Sequence, residues 1–435
     1  MKKNLFPKLL ALMACILCSM SAVADEAYAE FTTNNRTLTF HYDNLRSTRP
    51  GITYDLVREG GIPGWSGLIL QDTVMNVVIE PSFANARPTT TAFWFSNFHF
   101  VKNITGLNYL NTSEVTSMLC MFSECYALES IDLSNFNTSK VTDMRSMFYM
   151  CQSVTSLDLS TFDTSNVTAM NHMFRYCGEL TSLDLRSFDT SNVTDMRDMF
   201  CNCFKLTSLD VTSFNTANVT NMEAMFEQCR ELTTLDVRNF NTSNVTTMQY
   251  MFYACKKIET IDLSNFDTGN VTNMRLMLSG CHSMKYFDLS SFNTSNVTNM
   301  NRMFENSYRL YSIFVSDRWS NESVTNSIGM FTGCECLIGS AGTAFDADHL
   351  DGDYAHVDGG PSDPGYFSFR YPFMRGDVNR DGKINIADVT ALINYLLSGD
   401  PSGVDILAVD CNDDGKRNIA DVTALINYLL SDVWE

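Results

Sequence analysis

After residue 24 the chain lacks any apolar run approaching the 18 or so residues that a membrane-spanning helix needs. It is also short of positive charge: 30 Lys and Arg stand against 50 Asp and Glu, a formal net charge of −20. Phosphate binding requires clustered cations, so no nucleic-acid partner is expected. Histidine is scarce. The six (His41, His99, His172, His282, His349, His356) show no metal-ligand spacing, and neither a Gly-x-Ser-x-Gly elbow nor a P-loop occurs. These absences point away from an enzyme and towards a protein that binds.

What is present begins with an export signal. Met1–Ala24 carries Lys2, Lys3 and Lys8, an apolar run from Leu9 to Leu17 and an Ala22-Val23-Ala24 exit, which predicts cleavage before Asp25. Lipidation at Cys15 or Cys18 is a competing reading, although Leu12-Met13-Ala14 makes a poor lipid-attachment signal. An extracellular or bacterial cell-surface location follows from either. Residues 25–110 do not follow the pattern described next. Their alternating stretches and Pro/Gly turns predict strands and turns forming an amino-terminal cap.

From about Asn111 to Leu310 the sequence repeats every 26 residues. The residues heading an LDL-like triplet are Ile131, Leu157, Leu183, Leu209, Leu235, Ile261, Phe287 and Ile313, with no insertion between them. A fixed period of this length predicts a solenoid over 111–337, each unit covering its neighbour's apolar face. In the Thr181–Leu206 copy, Leu183-Asp184-Leu185 alternates as a half-buried strand does. Val193 to Met196 suggests a second short strand. Met196, Met199 and Phe200 have the 3–4 spacing of one helical turn.

The recurrent columns have structural readings. Seven cysteines (Cys125, Cys151, Cys177, Cys203, Cys229, Cys255, Cys281) precede a Ser307 in the same place. They read as small buried hydrophobes, with disulfides between neighbours as the alternative. The asparagines Asn166, Asn192, Asn218, Asn244, Asn270 and Asn296 each sit in Asn-Val-Thr, a ladder satisfying the backbone amides of the next turn or a glycosylation sequon. The outward Asp132, Asp158, Asp184, Asp210, Asp236, Asp262 and Asp288 are the most enzyme-like feature, since neighbouring carboxylates raise one another's pKa. Seven equivalent copies offer no acid and base, and hydrogen bonding to nearby Ser or Thr is the better reading.

The pattern L-x-x-L-D-L followed by F-[DN]-T-S-N-V-T-x-M-x-x-M-F-x-x-C resembles the BspA-like leucine-rich repeats of bacterial surface proteins, over about Val115 to Cys334. The resemblance implies an extracellular interaction or adhesion role. Recognition then falls to six positions per unit that change, which in Thr181–Leu206 are Arg197, Asp198, Cys201, Asn202, Phe204 and Lys205. Across the array these slots collect most of its positive charge and irregular aromatics. We expect Arg175, Tyr176, Phe204, Tyr250, Tyr253 and Lys257 to face a protein or glycan ligand, because interfaces favour Arg and aromatic residues.

Residues 338–371 read as a carboxy-terminal cap and linker, and the acidic group Asp346, Asp348, Asp351 and Asp353 as a solvated loop. Asp377, Asn379, Asp381, Lys383 (through its carbonyl), Asn385 and Asp388 then occupy the ligand positions of a 12-residue calcium loop with Gly382 at its turn. A second loop, 33 residues on, has Asp410, Asn412, Asp414, Lys416, Asn418 and Asp421. Two calcium ions are therefore expected. Each loop leads into a helix, and Asn385 to Ser398 recurs letter for letter at Asn418 to Ser431.

This loop-helix pair, over Gly376 to Ser431 within a module at 374–435, is similar to a type I dockerin. The resemblance implies docking to a cohesin-type scaffold protein, with Ile386, Ala387, Thr390, Ile419, Ala420 and Thr423 in partner contact. A pseudo-twofold module would show one surface twice. The expected fold is a leucine-rich-repeat-like solenoid of short strands and short helical turns, followed by a small all-α calcium-binding module. The expected function is non-catalytic binding or adhesion. The alternative is a carbohydrate-binding accessory subunit of a polysaccharide-degrading assembly.

Overall fold

A computed structural model describes residues 24–435, apart from 59–60, 67, 370–374, 380, 382, 401–402, 406–407, 413–415, 432 and 435. The export signal at 1–23 lies outside the described residues.

The amino-terminal part is a five-stranded sheet. Its strands are β1 (Glu26–Thr32), β2 (Thr37–Asp43), β3 (Ile52–Asp55), β4 (Asn76–Ile79) and β5 (Ile104–Thr105), in the order β3-β1-β2-β4-β5. Alternation places Leu38 and Phe40 of β2 inward, beside Val77 and Ile79 of β4. A single helical turn, α1 (Leu68–Gln71), precedes β4. Phe40 packs on Trp65, Phe83 and Trp94 at 5.2, 5.6 and 5.4 Å between ring centroids. Phe95 stacks on Phe122 at 5.4 Å, carrying this core into the repeats without a break.

The repeats stack coil on coil. One unbroken parallel ladder runs Thr90, Ser117, Asp143, Ala169, Asp195, Asn221, Thr247, Asn273, Asn299, Asn326. It follows the residue before the first Met, whereas the LDL region pairs only in short pieces. Those pieces are β6 (Ser182–Leu183) with β7 (Ser208–Leu209), and β8 (Tyr286–Asp288) with β9 (Ser312–Val315), which β10 (Phe367–Phe369) extends. Inside, Phe122, Phe148, Phe174, Phe200, Phe226 and Phe252 form a pile with 5.7 Å between successive rings.

The expected helical turn is not there. Among Met196 to Cys203, every second N–H closes a β-turn within the coil: Met199 to Met196 O (3.3 Å), Cys201 to Asp198 O (3.1 Å), Cys203 to Phe200 O (3.2 Å). The intervening N–H groups cross to the next coil: Met196 to Asn221 O, Asp198 to Glu223 O, Phe200 to Met225 O, Asn202 to Glu227 O. A helix would keep its amides to itself, and a stack needs them shared between coils. Left-handed residues at two positions per coil, Asp198 (φ 56°) and Asn202 (φ 63°) here, permit the alternation. Two such residues cost about 2–4 kcal/mol together. Leu185, Phe188, Val193, Met196, Met199 and Phe200 are buried in the same coil and contribute about 1.5–3 kcal/mol each. Packing wins, and non-glycine residues are tolerated at positive φ.

Polar columns finish the coil. Asn192 is exposed and donates from Nδ2 to Ser165 O at 2.8 Å; the ladder thus satisfies a carbonyl of the preceding coil, not amides of the next. Thr190 is buried, donates to Asn215 O at 2.9 Å and accepts from Asn215 N at 2.8 Å. The outward aspartates cap local turns: Asp132 Oδ1 accepts from Ser134 N (3.1 Å) and Ser134 Oγ (2.6 Å). Hydrogen bonds from Ser134 at Asp132, and from Arg186 at Asp184, hold these two carboxyls below their usual range, the opposite of the mutual elevation considered for them.

Asp358 organises the turns after the last coil, accepting from Ala341 N, Thr343 N, Thr343 Oγ1 and Gly360 N. The acidic group nearby is engaged locally: Asp351 accepts from Gly329 N at 2.7 Å and Asp353 pairs with His349 at 2.7 Å. The carboxy-terminal module has its own core of Val378, Val389, Leu392, Val409, Val422 and Leu425 between α2 (Ile386–Ser398) and α3 (Ile419–Ser431).

Candidate calcium loops and the turn face of the array

Each carboxy-terminal loop is wound around the carboxylate at its last position. Asp388 is wholly buried. Its Oδ1 accepts from Asn379 N at 3.0 Å and its Oδ2 from Asn385 N at 2.8 Å. Asp381 N donates to both Asp377 Oδ1 (3.0 Å) and Asn379 Oδ1 (2.9 Å), and Asp381 Oδ1 accepts from Lys383 N (2.9 Å). Asn385 caps α2 through Ala387 N in a capping box with Asp388. The second loop repeats this: Asp421, also wholly buried, accepts from Asn412 N (3.4 Å) and Asn418 N (2.7 Å), and Asn418 Oδ1 accepts from Ala420 N. Asp410 and Lys416 belong to the described part of that loop, and Asp414 lies outside the described residues.

The donor set suits a hard cation. Among the described residues, no Lys, Arg or His stands at ion-pair distance from Asp388 or Asp421, and both carboxylates accept from backbone amides. Buried carboxylates without a cationic side chain call for an ion. Burial pushes the thiol of Cys411, in the second loop, up to about 12, and Asp421, Asp410 and Asp388 add to the effect.

The residues expected at a partner surface are outward. Ile386 and Ile419 are each 71% exposed, and Ala387, Thr390, Ala420 and Thr423 are exposed beside them. The structure adds Ile393 and Leu397, and Ile426 and Leu430; Leu397 and Leu430 are 82% exposed. Their spacing from Ile386 and Ile419, seven and eleven residues, puts them on one helical face turned away from Leu392 and Leu425. That spacing was available in the sequence.

On the array, the six expected ligand residues already have partners within the chain. Arg175 lies over the Tyr176 ring (5.3 Å), Arg230 over Phe204 (4.8 Å) and Arg275 over Tyr250 (5.3 Å). Tyr250 and Tyr253 meet edge to face at 5.8 Å. Lys257 pairs with Glu231 one coil earlier at 2.5 Å, as Lys205 does with Glu179 at 2.6 Å. Glu179, Lys205, Glu231 and Lys257 thus alternate in sign up one column, and part of the positive charge expected to face a ligand ties coils together instead.

Beside Arg175 is a polar cluster. Asp198 is buried; its Oδ2 lies 3.1 Å from both His172 Nδ1 and Arg175 Nη1 and 3.9 Å from Arg197 Nε. Cys201 and Glu227 complete it. Burial, then the Asp198 charge, raises the Glu227 carboxyl above its usual range. Glu227 was not singled out by sequence; it lies one 26-residue step from Cys201, as Asp198 does from His172.

The family described as "Mycoplasma protein of unknown function, DUF285" matches residues 89–182, 150–258, 174–285 and 232–342, together more than half of the chain. The family described as "Dockerin type I domain" matches residues 375–430. No curated protein matches the chain. No helix among the described residues is long and apolar enough to cross a membrane.

Proposed function

This chain belongs to the DUF285 family, and we propose that it is an exported, non-catalytic adhesion or binding protein held on a scaffold by its carboxy-terminal dockerin. In this reading, 25–110 caps a leucine-rich-repeat-like solenoid over 111–337, 338–371 closes it, and 374–435 docks on a cohesin-type partner with calcium in both loops. The Asp377 and Asp410 loops supply the calcium ligands named from the sequence. Calcium fixes the starts of α2 and α3, and these helices present Ile386 and Ile419 with the apolar residues behind them. The duplicated, exposed apolar face on two buried-carboxylate loops supports this docking role. The test is retention of the full chain on immobilised cohesin in calcium and its release by chelator. Retention that chelator leaves unchanged refutes calcium-dependent docking.

For the array, the state of the aromatic rings favours a protein ligand. Sugar rings stack on open aromatic faces, and here guanidinium groups cover Tyr176, Phe204 and Tyr250. The resulting cationic and aromatic surface suits protein contact better than a polysaccharide. Substituting Tyr250, Tyr253 and Lys257 by Ala tests this placement: undiminished capture of a protein ligand removes the turn face from consideration.

A further inference from the structure

The cluster around Asp198 brings together donor atoms that packing and stacking do not require. Cys201 Sγ is 3.6 Å from Glu227 Oε2, and ligand atoms of Asp198, Cys201 and Glu227 all lie within 4.8 Å of one another. Asn202 Nδ2 donates to the same sulfur at 2.9 Å. The column holding Cys201 has Tyr149, Tyr253 and Ser279 in other coils, and the column holding Asp198 has Ala224, Tyr250 and Leu276. The stack therefore needs neither residue. We propose that Asp198, Cys201 and Glu227 bind one zinc ion, with water in the fourth position of a tetrahedral set.

The geometry supports the ion. Zn–S of about 2.3 Å and Zn–O of about 2.1 Å at a tetrahedral angle separate sulfur and oxygen by about 3.6 Å. That is the Cys201–Glu227 distance. His172 Nδ1 stands 3.1 Å from Asp198 Oδ2 and helps to orient that carboxylate. A thiolate ligand selects zinc over the calcium that suits the all-oxygen loops of the carboxy-terminal module.

Without the ion, the Cys201 thiol directs its proton towards Glu227 Oε2. Zinc takes the place of that proton. The S–H bond breaks, the Zn–S bond forms, one proton leaves to solvent and the cluster gains one positive charge. Arg175 stays on Asp198 Oδ2 and orients the carboxylate, as hydrogen-bonded partners of metal-binding carboxylates do. The ion would clamp two consecutive coils beside Arg175 and Tyr176. The proposal does not depend on what the array binds.

The test uses the untagged full-length chain in excess calcium, so that the carboxy-terminal loops are filled, with zinc alone as the probe. The expected result is one zinc retained per chain and one proton released on binding. Cobalt in its place should give a thiolate-to-cobalt charge-transfer band. Cys201→Ser should lose the band, and Glu227→Gln should lose the retained zinc with the metal-free fold unchanged by circular dichroism. No retained zinc, zinc retained equally by Cys201→Ser, or cobalt bound without a thiolate band each overturns the proposal.

Discussion

The hydroxyl of Ser307 donates to the backbone carbonyl of Leu278 at 3.1 Å. In the coils before it the same bond is made by sulfur: Cys281 Sγ to Phe252 O at 3.4 Å, Cys203 Sγ to Phe174 O at 3.2 Å, Cys151 Sγ to Phe122 O at 3.2 Å. The column selects a short side chain that can donate, and that is why one serine can enter a run of cysteines. Burial raises these thiols, to about 12 at Cys203 and Cys281, so they remain protonated and able to donate.

Replacing Cys203 by serine is therefore expected to change stability by less than about 1 kcal/mol, because the donor survives. Alanine removes one of the two donors to Phe174 O, which keeps the bond from Cys177 N, and should cost about 0.5–1.5 kcal/mol. Denaturant midpoints of the two variants, measured side by side, decide. Equal midpoints would show that the column wants only small volume.

Thr190 should matter more than the exposed Asn192. The Thr190 hydroxyl serves both the N–H and the C=O of Asn215, so Thr190→Val strands two partly buried backbone groups and should cost about 1–3 kcal/mol. Asn192→Ala frees a carbonyl that water can reach and should cost less than about 1 kcal/mol. Thermal unfolding of both proteins tests the order, and a larger loss for Asn192→Ala refutes it.

The outward aspartates set the acid limb of stability. Asp184 and Asp236 are lowered to about 2 by hydrogen bonds from Arg186 and Arg238. A depressed carboxyl stabilises the fold above its unfolded pKa of about 4, and that contribution disappears as pH falls from about 4 to 2. The melting temperature should be flat from pH 7 to 5 and fall below pH 4. In an Arg186→Ala, Arg238→Ala protein the fall should begin at the same pH, end at higher pH and be shallower. An acid limb identical to that of the unsubstituted chain would remove these pairs from the account.

The period, the buried columns and both loop-helix units were legible in the sequence, because each depends on spacing alone. The turn type was not. Met196, Met199 and Phe200 face inward whether the backbone is a helical turn or a run of β-turns, and the deciding torsions belong to Asp198 and Asn202, which carry no glycine signal. The cluster at Asp198 was only half legible. Its members were visible as departures from the repeat, but Glu227 joins Cys201 only once the coil register is known. The pairing of Lys205 and Lys257 with the preceding coil is hidden for the same reason.

Removing calcium should act on one part of the chain. The loop carboxylates of Asp388 and Asp421 are wholly buried and accept from backbone amides. Without the ion their charge is uncompensated, and the starts of α2 and α3 that Asn385 and Asn418 cap lose their anchor. Chelator should abolish most of the helical circular dichroism, because few other helices are described, and leave the stacked coils folded. Asp388→Ala should remove one calcium and Asp388→Ala, Asp421→Ala both. The duplicated helices carry the argument to binding. If either face can dock, Ile386→Asp or Ile419→Asp alone should weaken retention on cohesin only about twofold, the statistical effect of losing one of two equivalent orientations. The double variant should lose retention altogether. A single substitution that abolishes docking would show that only one of the two faces is used.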